Sequence, residues 1–138
     1  MRVLALALTV LALLTAGAGC ADTASEQPRL DGTSWRLTSW AEPDPLPSTV
    51  DITADFTDGR VSGSAGVNRY NASVTSGTDG SFAIDAPITT KMAGPPDVTA
   101  AEQAYLARLQ AATSYRIDDD TLVIDDADGA TSLTFARA

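Results

Sequence analysis

The sequence predicts a mostly β fold of the α+β kind, a small antiparallel sheet curled toward an open barrel with one α-helix packed across it. Three observations point there. Short segments between positions 35 and 135 alternate apolar and polar residues, the period of strands with one buried face. Four Asp-Gly pairs, at 31–32, 58–59, 79–80 and 128–129, punctuate them, and Asp-Gly suits two-residue hairpin turns because both central residues take positive φ. A single stretch leaves this period and carries an apolar stripe at helical spacing.

Taken in order, SWRL opens the sheet with Trp35 and Leu37 on one face. In VDITADF, Val50, Ile52, Ala54 and Phe56 face one way and Asp51, Thr53 and Asp55 the other. RVSGSAGV continues with Val61, Gly63, Ala65 and Val67, small side chains that suit close approach by another backbone or by the helix. Gly66 and Asn68 then suit a bulge or bend, and Arg69 and Tyr70 lead into a strand containing Val74. SFAI follows, with Phe82 and Ile84 on one face.

The segment DVTAAEQAYLARLQAAT, residues 97–113, reads as the helix. It follows Pro95-Pro96, and Thr99 stands three before Glu102 as a capping box. Ala101, Tyr105, Leu109 and Ala112 make its stripe, widened by Leu106, and this stripe is expected against the open side of the sheet. SYRI, TLVI and SLTF close the domain, with Tyr115, Ile117, Leu122, Ile124, Leu133 and Phe135 inward. The acids at 118–120 and 125–128 are read as hairpin turns flanking TLVI. Trp40, if Trp35 faces in, is either an exposed binding aromatic or packs on the loop AEPDPLP.

The N-terminus reads differently. Arg2, an apolar run from Val3 to Leu14 and small residues ahead of Cys20 describe a signal peptide over residues 1–19, too short in its apolar part for a permanent membrane helix. Cys20 is the sole cysteine, so it has no intramolecular disulfide partner, and it sits where a lipobox places the acylated residue. Gly17 stands where Leu is usual in that motif, so plain secretion or an uncleaved anchor stay as alternatives. Residues 20–29 are read as the lipidated cysteine with a polar tether, and residues 30–138 as one domain.

Composition removes several function classes. The net charge of −9 repels nucleic acid phosphates and anionic headgroups, so no nucleic-acid partner is expected and membrane attachment falls to acyl chains on Cys20. With no histidine and one cysteine, Ser-His-Asp and Cys-His catalysis and histidine zinc sites have no residues to be built from. Asp126, Asp128 and Gly129 invite a calcium-loop reading, but its first and last ligand positions would be Ile124 and Phe135, which cannot ligate. The expectation is therefore no catalytic residues, no metal and no cofactor.

The order LDGTSWRLTSW, GRVSGSAGVNRYNASV, ITTKMAGPP, EQAYLARL, YRIDDDTLVI and SLTF resembles the META domain family, the HslJ-like bacterial envelope proteins. The resemblance implies a small antiparallel β structure with a packed helix, an envelope setting tied to heat shock, stress or drug tolerance, and no established catalytic residues. The family often has cysteines at the positions held here by Val67 and Gly94, so whatever that pair does is absent from this chain. Candidate binding residues placed on the motif are Asn68, Arg69, Tyr70, Thr90 and Met92: Arg69 to pair with a carboxylate or phosphate, Tyr70 to stack. The expected function is a non-enzymatic envelope lipoprotein with a binding or assembly contact to an envelope protein. The alternatives are a lipid or small-ligand carrier and an inhibitor of an extracellular hydrolase.

Overall fold

The computed structural model describes residues 26–138. Cys20, the signal segment and the first part of the expected tether lie outside the described residues.

The alternating segments become β1 (Thr33–Trp40), β2 (Thr53–Thr57), β3 (Arg60–Ser64), β4 (Arg69–Ser76), β5 (Phe82–Ile84) and β6 (Ile88–Thr89), then, after helix α1 (Pro96–Ala111), β7 (Ala112–Asp118), β8 (Thr121–Asp126) and β9 (Thr131–Arg137). All named pairings are antiparallel. They run β5-β4-β3-β2-β1-β9-β8-β7, with β6 added to β4. The two ends of this eight-strand path meet: Ser81 bridges Ser114, and the Tyr115 N–H donates to Gly80 O at 2.8 Å, which nearly closes the barrel.

Period two determines what lies inside. Trp35, Ile52, Ala54, Phe56, Val61, Leu122, Ile124, Leu133 and Phe135 are all buried, as the alternation predicts. Phe56 and Phe82 meet edge to face at 6.3 Å, and Tyr105 of α1 does the same with Tyr70 at 5.5 Å and Phe135 at 6.4 Å. The helix therefore sits on the barrel through its expected stripe: Ala101, Tyr105 and Leu109 are buried.

Several expectations are corrected. The alternation expected through Val67 stops at Ala65, because β3 ends at Ser64 and Gly66 turns the chain at φ +126°. The helix starts at Pro96 and ends at Ala111, since Ala112 is extended (φ −68°, ψ 139°) and pairs with Asp126 in the ladder. No side chain caps its N-terminus. The N-cap position is held by Pro95, whose ring has no oxygen to accept a hydrogen bond and whose nitrogen has no hydrogen to donate, so a capping box cannot form there. Of the Asp-Gly pairs only Asp58-Gly59 is a two-residue hairpin turn, joining Thr57 to Arg60 with φ 52° and 70°. The other such turn is Asp119-Asp120, between Asp118 and Thr121, where Asp119 takes φ 50°.

The expected tether of residues 20–29 also shortens. The Gln27 N–H donates to Thr78 O at 2.7 Å, Gln27 Oε1 accepts the Ile117 N–H at 3.0 Å, and Tyr115 Oη donates to Pro28 O at 3.0 Å. Ile117 stands on the terminal strand of the sheet path, where its outward N–H has no neighbouring strand, and Gln27 supplies the acceptor. Residues 26–29 therefore belong to the domain.

Candidate functional site

The motif residues are gathered where β3 hands over to β4. Gly63 comes first. A Cβ there would collide with the backbone carbonyl oxygen of Thr53 and lie 2.7 Å from its Oγ1, so only glycine lets the strands approach this closely. Ala65 N–H donates to Asn68 O at 2.8 Å and closes the bend, and Gly66 within it packs toward Val98 at the start of α1.

Glu102 then binds the bend to the helix. The spacing suggests a cap, but Glu102 shares the buried side of α1 with Ala101 and Tyr105 and is itself only 8% exposed. Its Oε2 accepts the N–H groups of Val67 (3.1 Å) and Asn68 (2.8 Å), and Oε1 accepts Asn68 Nδ2 at 2.9 Å. The other side of Asn68 faces the segment after β6. Asn68 Oδ1 accepts Thr90 Oγ1 at 2.9 Å and the Met92 N–H at 2.7 Å, while Nδ2 also reaches Met92 O at 3.3 Å.

All four hydrogen-bonding positions of the Asn68 carboxamide are thus filled. Thr90 Oγ1 accepts the Arg69 N–H at 3.1 Å as well. The arrangement ties the bend, the strand-edge segment and the helix into one unit. Removing the carboxylate would leave three donors unsatisfied, which costs on the order of 3 kcal/mol or more. It has no open valence for a substrate, and the N–H groups aimed at Glu102 would repel a cation. Among the described residues no group of three or more His, Cys, Asp or Glu is arranged to hold a metal.

Tyr70 does not serve the stacking role expected of it. Period two turns it inward, where it is 2% exposed against Tyr105, and its hydroxyl donates to Thr53 O at 2.8 Å and lies 2.7 Å from Tyr105 Oη. Burial pushes both phenols up from their ordinary range, Tyr70 helped by Asp55 and held back by its bond to Tyr105, and Tyr105 raised further by Tyr70. Both stay neutral in the folded state at physiological pH.

The five expected binding residues therefore divide. Asn68 and Tyr70 are interior, Thr90 joins the network through its hydroxyl, and Arg69 and Met92 are exposed, Met92 at 64%. Sequence reasoning missed Glu102 as the centre of the cluster; a charged residue on the apolar stripe was the available signal. It also missed Ile88, 68% exposed, whose place opposite Asn71 follows only from the pairing of β6 with β4. Trp40 packs on its loop: its Nε1 donates to Asp44 O at 2.7 Å, and Arg108, paired with Asp44 at 2.9 Å, lies over its ring at 5.5 Å.

The positions the family often fills with cysteines are neighbours. A Cβ on Gly94 would stand 3.2 Å from Val67 Cβ and collide with Cγ2, so the valine occupies the space and Gly94 yields it.

Among solved structures, the chain is similar to a protein from Burkholderia xenovorans determined by NMR, with 27% identity and a TM-score of 0.66 over 79% of this chain and 83% of that one. A second NMR structure (17% identity, TM-score 0.58, 78% and 90% of the two chains) shares the fold. So does a DUF4847-family protein from Bacteroides vulgatus (16% identity, TM-score 0.57, 78% and 93%). Comparison with functionally curated proteins gives no match. The META domain model matches residues 28–138, the whole barrel with its helix, and the chain belongs to the META domain family.

Proposed function

We propose that this chain is a non-enzymatic, lipid-anchored protein of the bacterial cell envelope whose META domain is a binding or assembly module, working through the outer face of β4 and β6. One observation carries the reading: the polar groups of the motif are occupied by one another, whereas Arg69, Ile88 and Met92 beside them are exposed. Exposed large apolar side chains next to a cation are the ordinary composition of a contact surface. Attachment rests on the apolar run, the small residues and Cys20, with acyl chains holding the domain at the extracytoplasmic face. Among the described residues no helix is long and apolar enough to cross a membrane.

The absence of catalysis rests on the sequence, which has no histidine and offers its one thiol for acylation. A carrier would need room inside the barrel, and there Trp35, Phe56, Tyr70, Phe82, Tyr105 and Phe135 fill the interior. The stress setting implied by the family is the one we assign to the contact. Two experiments test this. Feeding an alkyne fatty acid to the native host should label the chain and leave Cys20→Ala unlabelled. Co-isolation after mild solubilisation should lose an envelope protein in the combined Arg69→Ala, Ile88→Ser, Met92→Ser variant while thermal unfolding is unchanged; retention of every co-isolated component would overturn the assignment of this face.

A further inference from the structure

The outer face of β3, β4 and β6 holds a groove of about 250 Å³. We infer that it binds a monocarboxylate carrying a short aliphatic group, an inference that rests on the reading of the β4–β6 face as the working surface. Cross-strand register puts Ser62 opposite Asn71, and Asn71 opposite Ile88. Arg69 lies two residues along β4 from Asn71, hence on the same face and about 7 Å away.

The electrostatics of the groove differ from those of the rest of the chain. The net charge is −9, yet the groove lining contains one cation, Arg69, and no acid. Arg36, Arg108, Arg116 and Arg137 each pair with an aspartate, and Arg60 bonds Ser73 and Asn71; Arg29 and Lys91, which also pair with no acid among the described residues, lie outside the groove. The Arg69 guanidinium pairs with no acid among the described residues. Asn71 Oδ1 is taken by Arg60, so what Asn71 has to offer a ligand is its amide N–H group. With the Ser62 hydroxyl this makes a row of donors beside the guanidinium, bounded by the apolar wall of Ile88.

A guanidinium matches the two oxygens of a carboxylate with parallel N–H donors. A phosphate monoester brings a charge of about −1.5 to −2 to a single cation on an acidic protein, so a monoanion meets far less repulsion. The volume is below the roughly 300–1,000 Å³ of pockets for drug-sized ligands. It suits a short acid or the end of a peptide, two sources of the same chemistry.

The test titrates the full-length chain, purified in detergent micelles at neutral pH, with acetate, hexanoate, N-acetyl-leucine, hexanol and hexyl phosphate, read by calorimetry. The expected result is binding of a carboxylate and none of hexanol, with at least a roughly tenfold loss of affinity in Arg69→Ala. Ile88→Ser should weaken hexanoate and leave acetate unchanged. Tighter binding of N-acetyl-leucine assigns the source as a peptide terminus, and tighter binding of hexanoate assigns a free acid. Equal affinity in Arg69→Ala, a preference for hexyl phosphate, or failure of both carboxylates to bind would overturn the site. If the carboxylates fail while Arg69→Ala still loses its envelope partner, the ligand class falls and the binding face stands. If they bind while co-isolation ignores Arg69, the assembly reading falls alone.

Discussion

At the scale of single residues, the hydroxyls of Tyr70 and Tyr105 set a direction for their shared hydrogen bond. Tyr70 has one proton and gives it to Thr53 O, a pure acceptor, so the bond between the phenols takes its proton from Tyr105. Tyr70→Phe therefore strands both Thr53 O and the Tyr105 hydroxyl, and should cost about 2–3 kcal/mol in urea unfolding. Tyr105→Phe strands neither and should cost about 1 kcal/mol or less. The opposite order would mean that the proton runs the other way. The same burial predicts an alkaline limit. The unfolded tyrosines ionise near the ordinary value of 10.0, whereas in the fold burial holds Tyr70 and Tyr105 neutral, and burial with Asp79 nearby raises Tyr115. Above that pH the unfolded chain binds fewer protons than the native one, so this stability is complete below pH 10 and declines as pH rises. Phenolate absorbance should accordingly appear together with the loss of far-ultraviolet dichroism; ionisation of all three tyrosines in a chain that stays folded would contradict it.

At the scale of elements, the helix and the β3–β4 bend are each incomplete without the other. The bend has N–H groups at Val67 and Asn68 that no strand satisfies, and α1 brings the carboxylate that does. This explains why an acid tolerates a place on the buried stripe: its partners are fixed donors, not water. The neighbouring contact between Val67 and Gly94 yields a direct prediction. Their Cβ positions lie close to the separation a disulfide requires, roughly 3.5–4.5 Å. The double variant Val67→Cys, Gly94→Cys should oxidise spontaneously and gain about 3–4 kcal/mol over its reduced form. A thiol count that does not fall by two on oxidation would show that the segment after β6 does not sit where the structure places it.

At the scale of the whole molecule, the barrel is closed by a segment outside its strands. Gln27 spans the seam between Thr78 and Ile117, and Leu30 completes the core beside it at 1% exposure. Gln27→Ala should leave the Ile117 N–H unpaired and lower stability by about 1–2 kcal/mol. Hydrogen exchange should show the loss concentrated at Ile117 and Tyr115; uniform protection would mean that the seam closes without the segment. The location of this latch matters for the proposed lipid-anchored arrangement: the chain that makes it leads back toward Cys20, so a load on the proposed anchor would reach the barrel first at its seam.

The sequence by itself determined the strands other than the two-residue β6, most of the inward residues and the helix with most of its stripe, because those depend on periods of two and 3.6 that each segment carries locally. It also sufficed for family membership, through the order of weak motifs, and for placing Asn68, Arg69, Tyr70, Thr90 and Met92 in one neighbourhood. Tertiary structure alone decided which of them faces water. Glu102 reads as a cap until the bend supplies its donors, Tyr70 reads as a surface aromatic until Tyr105 crosses it, and Ile88 has no meaning until β6 pairs with β4. The reason is physical: a hydrogen-bonding side chain is satisfied by whatever group stands within about 3 Å, and for these residues that group is 17 or more positions away along the chain.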